Sequence, residues 1–292
     1  LWFFHWRLIN KQVRDDIFER ASGIRKTYIY FVLAISVAIV TSSLLGVMET
    51  ILGVEDVDWY QVATIIPILG VWVFHWRLKS IEGTGSTAGE ALHNVYIYGA
   101  SAFGLVLVSI GLGGMLHTLL KALYDSINGD FLIIAEERSH WTTSTRHYAA
   151  AFISGLVLWS THWLVFARND ANNRFRTAYL YIASIPAGGI ISTVATGSLL
   201  YGVFSLTLGI GRAENGQILS QVPGSLSSLI VGLFLIVYHQ EIATRESADR
   251  QSENLPNNKL AFLYSFSFIG IAVSAPGIAT LFYTAFGAIT ET

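Results

Sequence analysis

Trp72-Val73-Phe74-His75-Trp76 closes an apolar stretch over 60–79, and the same arrangement stands at two other places in the chain, with a degraded copy at a third. It is Trp2-Phe3-Phe4-His5-Trp6 near the start and Trp159-Ser160-Thr161-His162-Trp163 past the middle. Ile236-Val237-Tyr238-His239-Gln240 keeps only the histidine. The histidines are 70, 87 and 77 residues apart, so loops vary in length while a unit persists. Self-similarity of this kind is the signature of a repeat architecture. A second motif follows each histidine after a polar stretch. It reads Arg25-Lys26-Thr27-Tyr28-Ile29-Tyr30, His93-Asn94-Val95-Tyr96-Ile97-Tyr98, Arg176-Thr177-Ala178-Tyr179-Leu180-Tyr181 and Lys259-Leu260-Ala261-Phe262-Leu263-Tyr264. Each unit is then a short helix ending in the His-Trp motif, a polar loop, and a long helix opening with an aromatic pair. Two crossings restore the starting side, so the units should be parallel and not inverted. Their boundaries fall near 1–58, 59–140, 141–215 and 216–292, within a single membrane domain over 1–292.

Working outward, seven apolar stretches reach the roughly 20 helical residues that a bilayer crossing takes. They are 27–52, 60–79, 94–121, 146–167, 176–208, 219–242 and 259–288, and residues 1–9 read as part of an eighth. The fold expected is all-α: a polytopic transmembrane helical bundle of tandem two-helix repeats, with seven complete spans and a partial N-terminal one. β-Branched residues and glycines are common in the stretches, but in lipid the backbone must bond internally, so helix prevails. Pro67, Pro186 and Pro276 fall inside spans and should kink them; Pro223 falls near a helix start, where its missing N–H matters little. Leu1 stands inside an apolar run with no initiator Met, which reads as a start within a longer chain and not as a signal peptide.

Composition agrees. Apolar residues make up 52% of the 292, and charged residues only 13%, about half of what disperses a soluble domain. Cysteine is absent, which removes disulfides, thiolate metal sites and thiol nucleophiles. The net charge of −2 gives no pull toward nucleic acid. Of the 18 Lys and Arg, only Lys121, Arg138, Arg146 and Arg212 lie on one side of the spans; the other 14 flank the His-Trp ends. By the positive-inside rule the loops after the His-Trp motifs face the cytoplasm of a multi-pass inner-membrane protein. The longest loop of the opposite side, 122–145, carries an apolar run, Phe131–Ala135, able to enter the interface.

Gly70-Val71-Trp72-Val73-Phe74-His75-Trp76-Arg77, and Glu19-Arg20-Ala21-Ser22-Gly23-Ile24-Arg25-Lys26-Thr27-Tyr28-Ile29-Tyr30, resemble the hallmark segments of an uncharacterised bacterial membrane family, domain of unknown function 5671. The likeness extends as successive hairpins over nearly the whole chain. The third copy has Leu164 where an arginine follows His-Trp, and the fourth lacks both tryptophans. The resemblance implies topology and no activity.

His5, His75, His162 and His239 are the candidate binding residues. Neutral imidazole ligates haem iron or (bacterio)chlorophyll magnesium, and four at one depth could form a pigment or haem layer. The preferred reading is structural: imidazole at the interface bonds a carbonyl, a headgroup or a hydroxyl, and the tyrosine pairs open neighbouring helices at that depth. The tryptophans three before and one after each of the first three histidines share a helix face, as an aromatic belt or a packing surface. His117, His140 and His147, with Glu136 and Glu137, match no tight metal pattern. Gly111-Leu112-Gly113-Gly114 and Ala187-Gly188-Gly189 read as helix-packing surfaces. Between the interfacial ends no span carries Asp or Glu, whereas ion-coupled transporters place carboxylates at the midplane. No hydrolytic constellation is present either. The expectation is therefore a non-catalytic structural or accessory subunit, in contact with membrane lipids and other membrane-protein subunits, with no metal and no nucleic acid. A haem- or (bacterio)chlorophyll-binding subunit is the alternative, and a channel or passive transporter the second.

Overall fold

The computed structural model describes residues 2–15, 17–56, 58–127, 141–168, 170, 173–208 and 219–250, with short pieces between 263 and 286. Among these residues there is no strand. Helices α1 (Trp2–Asp15), α2 (Ile17–Ala21), α3 (Gly23–Ile51), α4 (Trp59–Glu82) and α5 (Thr87–Ile127) come first. Helix α6 (Thr143–Trp159) continues as a π-helical turn over Ser160–Phe166. Helix α7 (Arg174–Ala178) runs through a second π-helical turn, Tyr179–Ser184, into α8 (Ile185–Leu208), and α9 spans Val222–Arg250.

Six of these stretches are long and apolar enough to cross a bilayer: Gly23–Ile51, Trp59–Glu82, Thr87–Ile127, Thr143–Phe166, Arg174–Phe204 and Val222–Glu246. They coincide with six of the seven expected stretches. Most of the seventh, 259–288, lies outside the described residues, as does Phe131–Ala135. Several helices overrun the expected limits. Helix α5 has 41 residues, about 60 Å at 1.5 Å per residue, roughly twice the hydrocarbon thickness. The polar loop expected at 80–93 is mostly helix, and only 83–86 separate α4 from α5. Apolar length marks the part of a helix able to cross a bilayer; where the helix ends is set by local chemistry. Gly83 and Gly85 turn the chain at φ +65° and +72°, in the region open to glycine. Asp58, Thr142 and Asn173 cap the starts of α4, α6 and α7 by accepting from the amides of Tyr60, Thr145 and Phe175. Pro223 is the second residue of α9, whereas Pro186 lies inside the span Arg174–Phe204, just after its π-helical turn, and Pro67 lies inside α4.

The chain forms two compact units, residues 1–111 with 141–169 and residues 112–140 with 170–292. In the first, α3 packs on α4 and on α6, and the first part of α5 meets α6 through glycine. A Cβ on Gly104 would stand 2.6 Å from the Trp159 amide nitrogen, and one on Gly155 would stand 2.7 Å from that of Val108. In the second, α8 packs on α9, where a Cβ on Gly188 would stand 2.7 Å from the Gly232 carbonyl oxygen. No larger residue fits at these points without parting the helices. Small residues at such contacts let helix backbones approach closely.

Candidate functional site

Three of the four repeated histidines take the same pair of contacts. His75, on α4, is 3% exposed, His162 2% and His239, on α9, 0%. Each ring's Nδ1 lies against the carbonyl oxygen four residues earlier: Val71 at 2.8 Å, Leu158 at 3.0 Å and Leu235 at 2.9 Å. A carbonyl only accepts, so Nδ1 carries the proton and Nε2 of the neutral ring is the acceptor. Each Nε2 meets a tyrosine hydroxyl: Tyr28 at 3.3 Å, Tyr96 at 3.1 Å and Tyr179 at 3.4 Å. The rings meet nearly edge to face, with centroids 5.6, 5.4 and 5.6 Å apart. These tyrosines are the first of each aromatic pair, so the residues expected to partner the histidines do so. In each case the tyrosine stands on the long helix that precedes the histidine's short helix. His5 lies in α1, but its side chain is outside the described residues.

One of these contacts is extended. Trp72 Nε1 donates to the Tyr96 hydroxyl at 2.8 Å, and that hydroxyl donates to His162. Trp72 also stacks on Trp76 at 5.3 Å, and Trp76 on Phe166 at 4.2 Å, with the Lys79 ammonium 4.4 Å from the Trp76 ring centre. The tryptophans at −3 and +1 therefore do share a face, and one of them carries a specific bond.

A second recurrence lies beyond the rings. Arg25, three residues before Tyr28, grips Glu82, seven residues after His75, through Nε at 3.0 Å and through Nη2. Lys26 Nζ reaches the same carboxylate at 3.4 Å and the Gly83 carbonyl oxygen at 2.8 Å. Arg176, three before Tyr179, pairs with Glu246, seven after His239, at 2.7 Å. These groups are nearly buried: side-chain exposure is 7%, 1% and 4% for Arg25, Lys26 and Glu82, and 9% and 12% for Arg176 and Glu246. At the same offsets around Tyr96 and His162 the sequence has His93 and Asn169, so no ion pair of this kind is coded there. The basic residue before each aromatic pair is visible in the sequence. Its acidic partner was missed, although the +7 offset from each histidine was the available signal.

The π-helical turn at Tyr179–Ser184 follows from register. Gly104 is eight residues after Tyr96, and Gly188 nine after Tyr179. Both glycines offer their carbonyl to the glycine seven before the histidine, Gly155 and Gly232. A π-turn absorbs one extra residue, so tyrosine and glycine keep a common face in both helices.

On the opposite ends of the spans, His147 Nδ1 pairs with Glu49 at 2.6 Å, and Arg146 donates to the Gly53 carbonyl oxygen at 2.7 Å. His117 lies beside Gly224; His140, Glu136 and Glu137 fall outside the described residues. Among the described residues no three His, Asp or Glu side chains are grouped to hold a metal.

Residues 94–234 match the family described as domain of unknown function 5671. The matched region opens at Asn94, inside α5, takes in Tyr96, His162 and Tyr179, and stops five residues short of His239; the hallmark segments at 19–30 and 70–77 lie outside it. No curated protein and no solved structure matches the chain.

Proposed function

We propose, on the premise that residues 94–234 form a domain of unknown function 5671, that this chain is a non-catalytic integral membrane protein, a structural or accessory subunit whose helix pairs pack against other membrane proteins. The observation that carries the reading is the engagement of both ring nitrogens of His75, His162 and His239. A haem or chlorophyll ligand must offer a nitrogen lone pair, and here that lone pair accepts from tyrosine. The repeated motif is a clasp between helices. On this reading the tandem unit is a long helix followed by its short one, clasped at the His-Trp end, and the basic residues there favour the cytoplasmic side for that end. The long apolar spans without midplane carboxylates fit a scaffold better than an ion-coupled carrier.

The experiment is purification of the full chain in mild detergent. The expected result is no visible absorption band and a stoichiometric membrane-protein companion. A Soret or bacteriochlorophyll band that disappears in His162→Ala would overturn the reading in favour of a cofactor subunit. For sidedness, a cysteine at Ser86 should be protected from an impermeant thiol reagent in intact cells, and one at Asn128 should react.

A further inference from the structure

The three clasped helix pairs differ on their outer faces, and the differences converge on α3 and α4. Tyr28 is 38% exposed, whereas Tyr96 and Tyr179 are 5% and 4% exposed. Beside Tyr28 runs an apolar groove of about 490 Å³, bordered by Tyr28 and Val32 on α3 and by Pro67, Gly70, Phe74 and His75 on α4. Its floor is open because of one residue. Five before the histidine stands Gly70, where the other pairs have Val157 and Phe234, and a Cβ on Gly70 would meet nothing within 4 Å. Two residues after the histidine stands Arg77, where the other pairs have Leu164 and Glu241. Seven residues is close to two helical turns, so Arg77 lies on the face of Gly70, about 10 Å farther along the axis. Arg77 is exposed and makes no ion pair or hydrogen bond among the described residues. From Pro67 to His75 the groove is about 12 Å long, close to the half-thickness of a bilayer core.

We propose that the α3–α4 groove holds one acyl chain of an anionic phospholipid, with its phosphate at Arg77. The choice of an anionic lipid rests on charge: the cation at the groove mouth is unmatched, and a guanidinium recognises phosphate in a two-pronged fashion. A basic residue just cytoplasmic of a span is also where anionic headgroups concentrate. Glu241 would repel the same lipid at the equivalent place on α9. The inference rests on reading these helices as membrane spans, and it assigns a ligand class to a surface that the scaffold reading leaves unassigned.

The test is native mass spectrometry of the full chain in detergent with added phosphatidylglycerol or phosphatidylcholine. The wild type should retain one tightly held phosphatidylglycerol, several-fold in preference to phosphatidylcholine. Arg77→Gln should bring that preference close to one, and Gly70→Leu should remove the tight lipid of either kind. Helix content by circular dichroism shows that each variant folds; should Gly70→Leu fail to fold, the lipid preference of Arg77→Gln decides. Equal retention of both lipids by the wild type, or an Arg77→Gln variant that keeps the preference, overturns the proposal. A chain that stays dispersed without detergent would instead overturn the membrane reading itself.

Discussion

Helices α8 and α9 touch backbone to backbone, whereas α3 and α4 meet through side chains. In the first pair Gly188 and Gly232 face one another, and a Cβ on Gly232 would fall within 2.9 Å of the Gly188 carbonyl oxygen. At the corresponding places α3 and α4 carry Ser36 and Ile68, and the glycine they do use, Gly46, faces only the flexible side chain of Gln61 at 3.1 Å. The looser pair carries two cations on one carboxylate, Arg25 and Lys26 both on Glu82, where among the described residues the other has Arg176 on Glu246. The two pairs share the histidine–tyrosine clasp but divide the remaining cohesion differently, between close packing along the span and charge at its end. A pair without backbone contact keeps its helix surfaces open, and α3 and α4 are also the helices that border the groove.

The largest effect that should separate the two pairs is at the acid. Glu82→Gln removes the carboxylate that two nearly buried cations share, and breaking a buried pair costs about 3–5 kcal/mol. Glu246→Gln removes the carboxylate that Arg176 holds, and about 2 kcal/mol is expected, within the range for a hydrogen bond to a charged group. Unfolding free energies in mixed micelles, titrated with a denaturing detergent, measure both. If the two variants lose equal stability, the ionic tie does not compensate for looser packing and the comparison breaks.

The reverse ordering is expected at the glycines. Gly232→Ala puts a Cβ into the Ser192 hydroxyl and the Gly188 backbone, and overpacking of this kind costs roughly 1–3 kcal/mol. Gly46→Ala meets only a side chain that can swing away, so its effect should stay within about 0.5 kcal/mol. The same titration reads both, and a Gly46→Ala loss as large as that of Gly232→Ala would show that α3 and α4 are as closely packed as α8 and α9.

The sequence discloses these features unevenly. The spans are legible because apolar length is a one-dimensional property, and the tyrosines are legible as histidine partners because both motifs sit at one depth. The acids are not, because Glu82 and Glu246 read in isolation as solvated residues of polar loops; only the shared offset of seven from a histidine connects them to arginines 57 and 70 residues earlier. The limits of α4 and α5 are hidden for a related reason. Polar residues at 80–93 look like a loop, yet the buried ion pairs let the helix continue until Gly83 turns it. The π-turn at Tyr179–Ser184 is visible only after the glycine contacts show that one residue is extra.

The smallest expected effect concerns the clasp that the pairs have in common. The Tyr96 hydroxyl is buried and serves two partners, accepting from Trp72 and donating to His162. Tyr96→Phe therefore removes both bonds at once, and lipid tails offer no replacement. Bonds between membrane helices average about 0.6 kcal/mol and reach about 1.7, so a loss of about 1–2 kcal/mol is expected. Tyr28 is 38% exposed, so in Tyr28→Phe water or a headgroup can reach His75, and the loss should stay near about 0.5 kcal/mol, toward the low end of that scale. A double-mutant cycle between Trp72→Phe and Tyr96→Phe isolates the added link, because phenylalanine keeps the ring at position 72 while deleting its N–H. Coupling well above the error of the titration would establish that α4 is bonded to α5 through the indole; additive losses would mean that Trp72 acts only by stacking on Trp76 and Phe166, and that the clasp of His162 is no stronger than that of His75.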